Sequence, residues 1–300
     1  LTNHSEKEEL LCLIGCIRLS EMLLQDIRVT KNSRTGENMN HSIFVDKEAK
    51  EKYSKANQKY WEGIDDIIKS NELSLKECFN NYQAFIQRRS LPKLLAYYEL
   101  FKIIQDMPGS IIELGVFRGA GVFTWNHLLE TFCPGDRLRQ VYGFDHFEGY
   151  TKFQQEDGDL GSYFEDALEG DYMGSSYDIV KKLQSLHNND SYFPGIIRTQ
   201  IIPGNIKETI PVFVKENPGL RVSLLMIDVN LFEPLKAAFD YLYDLVLHGG
   251  VIAVSGYSAI PWKGEATAIE TFFKERGLSQ PKMQKFPWST VPRAYFIKSK

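Results

Sequence analysis

The rhythm of apolar and polar positions changes near residue 109. Before it, apolar residues recur at helical intervals through Leu10–Ile27, Lys47–Ile68 and Leu75–Ile104. Polar breaks separate them, and Lys31–Asn38 reads as a turn-rich loop. Pro92 suits the first turn of a helix, with Ser90 or Leu91 as its cap. Residues 1–105 are therefore expected to form a helical N-terminal lid or oligomerisation region. After residue 109, short apolar runs alternate with helical stretches, which is the signature of an α/β sheet. The runs end at Glu113, Asp145, Pro203, Asp228 and Ser255. Lys282–Trp288 and Ala294–Lys298 read as a terminal antiparallel hairpin. Residues 106–300 thus form a second domain, with an Asp-, Glu-, Gly- and Tyr-rich insertion at about 150–196. Its charges are expected on a solvated face, the sharper alternative being a cover over the substrate mouth.

The stretch Gly109–Gly121 leads from the first strand into a helix through glycines at 115, 119 and 121. A strand, a tight turn and a helix start form the usual seat of a nucleoside cofactor. Its spacing is not the dinucleotide G-x-G-x-x-G, and Glu113 before the first glycine would repel a pyrophosphate. An ammonium- or sulfonium-bearing ligand suits it better. Taken alone, the turn is equally compatible with packing glycines. Several strands ending in polar residues change that balance. Ligands of parallel sheets gather outside the carboxyl ends of the strands, and an acidic residue there is costly to bury without a partner. Asp145, one βαβ unit after Glu113, can accept from both hydroxyls of a ribose.

Bulk properties narrow the class. Three hundred residues with 43% apolar and 25% charged residues describe an ordinary globular chain. A net charge of -4 argues against a nucleic-acid surface. No apolar run reaches the ~18–20 residues of a membrane span. Four cysteines make no disulfide scaffold. Cys12 and Cys16, one helical turn apart, read as free thiols rather than metal ligands. A cytoplasmic protein is expected.

Four segments together carry a family resemblance: Glu113–Gly119, Tyr142–Gly149, Met226–Pro234 and His248–Ile252. They resemble class I S-adenosylmethionine-dependent methyltransferases, and within them the macrocin/mycinamicin sugar O-methyltransferases. The resemblance runs from about Phe79 to the C-terminus. It implies a Rossmann-like, mostly parallel sheet and a small-molecule acceptor in a biosynthetic reaction, with S-adenosylhomocysteine as product; a homodimer is expected from the helical N-terminal region. It assigns Glu113, Gly115 and Gly119 to the methionine end of the cofactor, with Val116, Phe117 and Arg118 lining the turn. Asp145 would hold the ribose, Phe147 and Glu148 the adenosine, Gly204 and Asn205 the adenine, and Asp228 would face the transferring methyl.

The family's magnesium ligands are where this sequence departs. The resemblance implies Asp-x-Asp after the fourth strand and Asp-Asp-Tyr after the fifth. Here these read Asp228-Val229-Asn230 and Ser255-Gly256-Tyr257. Magnesium favours carboxylate oxygens, so no tightly bound metal is expected. Asp228 is the first choice of base, then His146, which can titrate near neutrality. Tyr257 is a candidate acceptor contact and Trp262 a candidate acceptor wall. The leading expectation is O-methylation of a sugar or natural product. The alternatives are N-methylation of an amine, a cofactor-binding but inactive partner subunit and, disfavoured by the glycine spacing, a nicotinamide oxidoreductase.

Overall fold

A computed structural model describes residues 47–88, 90–150, 152–158, 176–258 and 262–299. The N-terminal readings, including Leu10–Ile27, Lys31–Asn38, Cys12 and Cys16, lie outside these residues. Contacts divide the chain into two units, with the boundary along the sequence after Arg88. The first contains helices α1 (Lys47–Ser70), α2 (Leu75–Asn80) and α3 (Tyr82–Phe85). Ser74 and Glu77 begin α2 with a reciprocal capping box. The Tyr60 hydroxyl donates to the Phe85 carbonyl at 3.1 Å, and Gln87 donates to Asn57 at 2.8 Å. These bonds tie α1 to the end of α3 and to the chain that follows it.

The second unit starts with α4 (Ser90–Ile104), β1 (Ser110–Leu114), α5 (Ala120–Phe132) and β2 (Val141–Asp145). It continues through α6 (Tyr177–Asn189), β3 (Thr199–Pro203), α7 (Ile206–Glu216), β4 (Val222–Ile227) and α8 (Phe232–Leu242). Strand β5 (Val246–Val254), α9 (Gly264–Glu275) and β6 (Ala294–Ile297) complete it. The strand order is β3-β2-β1-β4-β5-β6, and every pairing is parallel except that of β5 with β6. This is the α/β, mostly parallel architecture expected from the alternating pattern.

Helices cover both faces of the sheet, so β1 is buried along its whole length. Alternate residues point to opposite faces. Ile112 and Leu114 join Leu225, Ile227, Phe239 and Phe272 in one core, while Ile111 joins Tyr97, Trp125, Leu224 and Met226 in the other. Helix α4 belongs to this second core and packs against α5, β4 and β5.

Two segments differ from their sequence reading. The stretch between β2 and β3 carries the crossover helix α6, which packs on β3. Residues 282–288 do not form a ladder strand: only Gln284 bridges to Tyr295. Pro281 and Pro287 lack amide donors at either end of the run. Phe286 instead stacks on Tyr295, ring centroids 5.0 Å apart. Among the described residues no helix is long and apolar enough to cross a membrane.

Candidate active site

Strands β1 and β4 are neighbours at the point where the strand order reverses, the usual crevice for a ligand in such a sheet. Register puts Leu114 beside Ile227, and the chain leaves both strands together. The Asp228 amide donates to the Leu114 carbonyl at 2.8 Å, the Gly115 amide to Phe144 at 2.9 Å and the Ser255 amide to Ile227 at 2.9 Å. Gly115 has φ 88°, and a Cβ on it would strike the Asp228 backbone carbonyl. Only glycine lets the two strand ends approach so closely. Gly121, in the first turn of α5, leaves room for Glu113: a Cβ there would overlap both carboxylate oxygens. Phe117, between these glycines, holds a left-handed φ of 53°, a conformation that costs a non-glycine residue energy and clusters at ligand sites. The Arg118 guanidinium lies 5.5 Å from the Phe117 ring. Val116 is buried, and its methyl occupies the space that a Cβ on Gly143 would need.

Glu113 is only 2% exposed. Trp125 Nε1 donates to its Oε2 at 2.7 Å, and the Trp125 ring stacks on Tyr97 at 4.3 Å between centroids. Lys93, one helical turn before Tyr97, lies 5.5 Å from the tyrosine ring and 3.7 Å from Asp228 Oδ2. Burial pushes the Glu113 carboxyl up to about 8; Lys93 opposes the rise and Asp228 adds to it. The Tyr97 hydroxyl is buried without a partner among the described residues, and burial, then Glu113 and Asp228, push it well above its ordinary value. A buried carboxyl and an unsatisfied hydroxyl beside it are groups that a bound cation with hydrogen-bonding capacity would satisfy.

Asp145 joins two turns. Its Oδ2 accepts from the Phe117 amide at 2.8 Å and its Oδ1 from the Phe147 amide at 2.7 Å. A carboxylate offers about four acceptor positions, so each oxygen retains one for a ligand hydroxyl. Phe147 is buried at φ 62°, while Glu148 is exposed. His146 Nδ1 accepts from the Glu148 amide at 3.0 Å. That bond engages one of the two ring nitrogens within its own turn. The Gly204 amide donates to the Asp145 carbonyl at 3.0 Å, which brings β3's end to the same edge. Asn205 caps α7, its Oδ1 accepting from the Lys207 amide at 3.0 Å. Its amide nitrogen is not used by that cap.

The far side of the crevice is the loop after β4. Glu265, 0% exposed, reaches it from the first turn of α9. Its Oε1 accepts from the Val229 amide at 3.2 Å and the Asn230 amide at 2.8 Å, and its Oε2 from the Gly256 amide at 2.5 Å. Burial pushes this carboxyl too up to about 8, against the pull of those amides. Asp157 holds the next residues, its Oδ1 accepting from the Phe232 amide at 2.6 Å and its Oδ2 from Gln154 at 2.7 Å. Asn230, at φ 60°, donates from Nδ2 to the Tyr150 hydroxyl at 2.9 Å. The Tyr150 ring lies 5.2 Å from Trp262, which is buried. Tyr257 packs against the core and lines a groove with Ile269, Glu270 and Lys274, and its hydroxyl is raised by burial and then by Glu270.

These residues do not fit a magnesium site of the family's kind. Asp228 is the one carboxylate on the two loops, and Ser255 offers a neutral hydroxyl. A side chain at 256 would collide with Asn230 Oδ1 and Glu265 Oε2, 2.7 and 2.9 Å from a Cβ. Both Glu265 oxygens already accept from backbone amides. A hard cation needs six or so oxygens, and this donor set falls well short.

Lys93, Tyr97, Trp125, Asp157 and Glu265 escaped the motif reading. Lys93 and Tyr97, four apart on a helix, share a face, which is the one signal the sequence held for them. Nothing in the spacing links Glu265 to residues thirty-five earlier.

The chain is 23% identical over 175 residues to mycinamicin III 3''-O-methyltransferase of Micromonospora griseorubida, covering 58% of this chain and 63% of that protein. It is 26% identical over 161 residues to demethyldecarbamoylnovobiocin O-methyltransferase of Streptomyces niveus, covering 52% and 55%. The chain thus spans somewhat over half the length of these relatives. Among solved structures, the calicheamicin methyltransferase CalS11 superposes with a TM-score of 0.73 at 23% identity, over 90% of this chain and 100% of that one. In its apo form that protein is described as a TDP-rhamnose 3'-O-methyltransferase. The model of the macrocin O-methyltransferase (TylF) family matches residues 82–292, well over half of the chain, and the chain belongs to that family.

Proposed function

We propose that this protein is an S-adenosylmethionine-dependent O-methyltransferase acting on a hydroxyl of a sugar or sugar-bearing natural product, in a biosynthetic pathway. The observation that carries the reading is the meeting of Glu113, Asp145 and Asp228 around the glycine turn at the β1/β4 switch point. Family membership gives that meeting its chemistry.

Bound S-adenosylmethionine supplies an electrophilic methyl on a sulfonium sulfur. Glu113, in a dry pocket, pairs with the amino group of the methionine end and ionises as it does so. The Tyr97 hydroxyl gains its missing partner from the same end. Gly115 and Gly119 let the turn's backbone come close, with Val116, Phe117 and Arg118 along it. Asp145 accepts the two ribose hydroxyls on its remaining lone pairs, and Phe147 and Glu148 flank the nucleoside. Gly204 and the Asn205 side-chain amide border the adenine. Asp228 would take the proton of the acceptor hydroxyl as the oxygen–methyl bond forms and the methyl–sulfur bond breaks, with S-adenosylhomocysteine as the leaving thioether. Lys93 holds the Asp228 carboxylate and presents a cation where alkoxide character develops. Trp262 and Tyr150 wall the acceptor. Methyl transfer is an in-line displacement, so alignment of oxygen and methyl supplies much of the rate.

A homodimer and a cytoplasmic location belong to the same proposal. Phe79, 69% exposed on α2, supports an assembly contact, and light scattering in solution tests it. The ordinary composition and the free Cys78 and Cys133 support the location.

Thermal melting with S-adenosylmethionine, S-adenosylhomocysteine and NAD tests the cofactor, and methyl transfer to a panel including TDP-rhamnose tests the acceptor. The first two ligands raise the melting temperature and NAD does not; absence of any shift with the first two overturns the reading. Asp145→Ala abolishes the shift. Asp228→Ala keeps it and loses turnover, and wild-type turnover in that variant removes Asp228 as the base.

A further inference from the structure

The loops after β4 and β5 are the ones that carry metal-binding carboxylates elsewhere in the family, and here they are joined without a metal. Three of their amides, from Val229, Asn230 and Gly256, converge on one carboxylate, that of Glu265. It comes from α9, outside both loops, and is fully buried. Donors and acceptors are exchanged at the joint: a central carboxyl gathers amide donors, where a central cation would gather carboxylates. The substituted positions agree with this reversal one by one. An acid at 230 would set a second carboxylate against Glu265, because Asn230 Oδ1 lies 2.7 Å from a Cβ built on Gly256 and Glu265 Oε2 lies 2.9 Å from the same point. Any side chain at 256 would occupy that space. Gly264 lets α9 begin tightly against the loop, since a Cβ there would meet Asp157 Oδ1 and come within 2.5 Å of the Phe232 amide. Asp157 then fixes the loop two residues after Asn230, at Phe232. The β4–α8 loop is therefore pinned on both sides of Leu231 by carboxylates from outside it.

We propose that Glu265 is a positioning residue that replaces the divalent cation as the bridge between the two acceptor-side loops, so that the site holds Asp228 in place without metal. Hydrogen bonds from backbone amides to a carboxyl are directional. Three of them converging on one buried group tie the backbone just after Asp228 to the loop after β5 and leave the Asp228 side chain to the acceptor and Lys93. The inference rests on the methyltransferase reading.

The test compares wild type with Glu265→Gln, which keeps the shape but turns a donor amide toward the Gly256 N–H. Hydrogen exchange followed by mass spectrometry should show faster exchange in the peptides spanning 228–231 and 255–257. The dissociation constant for S-adenosylhomocysteine should stay within about twofold, while kcat for methyl transfer falls at least tenfold. Activity of the wild type should be the same in EDTA and in magnesium chloride, and calorimetric titration with magnesium alone should give no saturable heat. Saturable micromolar magnesium binding to the wild type, inactivation by EDTA, or wild-type kcat in Glu265→Gln would each overturn the proposal. The wild-type measurements decide the matter even if the variant fails to fold. Failure of the wild type to bind S-adenosylhomocysteine would instead sink the methyltransferase reading.

Discussion

The indole N–H of Trp125 donates to the buried carboxyl of Glu113 at 2.7 Å, across the face of the turn between β1 and α5. The bond joins the end of a strand to the first turns of the helix that follows it, so the pair fixes the turn's shape from inside. Trp125→Phe keeps an aromatic ring against Tyr97 and removes the donor together with part of the buried indole. Leaving a buried acceptor unmet costs about 1–3 kcal/mol. The variant is expected to unfold at lower urea concentration and to bind S-adenosylhomocysteine more weakly; unchanged values for both would show that the bond has no such role.

Glu113 and Glu265 give the protein a pH dependence of definite sign. Burial raises both carboxyls from 4.5 to about 8. Between those values the folded chain keeps protons that the unfolded chain has released. Their stabilising contribution is complete below about pH 4.5 and is lost as pH rises toward 8. Calorimetry of the cofactor-free protein should show the melting temperature falling across this window. Glu113→Gln should reduce the slope, because glutamine does not titrate. Glu130 and Asp244, held low chiefly by arginine partners, act in the opposite sense below that window.

The same protonation links cofactor binding to pH. If Glu113 must ionise to pair with an ammonium group, binding releases a proton below pH 8. Calorimetry of S-adenosylhomocysteine binding in two buffers of different ionisation enthalpy should show that release at pH 6.5. Glu113→Gln should remove it along with most of the affinity.

Gly115 is constrained twice, by a φ of 88° and by the Asp228 carbonyl where a Cβ would stand. Gly115→Ala must either separate β1 from the β4 loop or strain the turn, at a cost of about 1–3 kcal/mol from the backbone conformation alone. A lower melting temperature and no response to S-adenosylhomocysteine are expected. Gly135, with open space around it, serves as the control, and Gly135→Ala should leave both unchanged.

Asn230→Asp tests the electrostatics of the reversed joint. It brings a new carboxylate toward Glu265 and Asp228, so the variant should melt lower than the wild type in EDTA. Magnesium should restore part of the loss in the variant and do nothing for the wild type. Equal melting of both proteins in EDTA would show that the two carboxyls do not interact.

Much of this protein was legible from its residues. The β-branched runs, their polar ends and the glycines of 109–121 determined an α/β sheet with a cofactor turn, because strand burial and left-handed turns demand those residue types locally. Asp145 and Asp228 could be named because each sits at the end of such a run, where chain direction alone carries it to the ligand edge. The replacement of acids at 230, 255 and 256 was equally plain. What took their place was not, since Glu265 meets Asn230 through 35 residues of intervening chain that contribute no spacing rule. Lys93 and Tyr97 lie on a helix that precedes the sheet, and only the packing of α4 against β4 and β5 brings them to Asp228 and Glu113. His146 and Asn205 looked like ligand groups in the sequence, but folding commits His146 Nδ1 and Asn205 Oδ1 to amides of their own turns. Local sequence decides which backbone shapes are cheap. The partners of a buried charge are decided by which distant segments the packed sheet brings within about 3 Å of it.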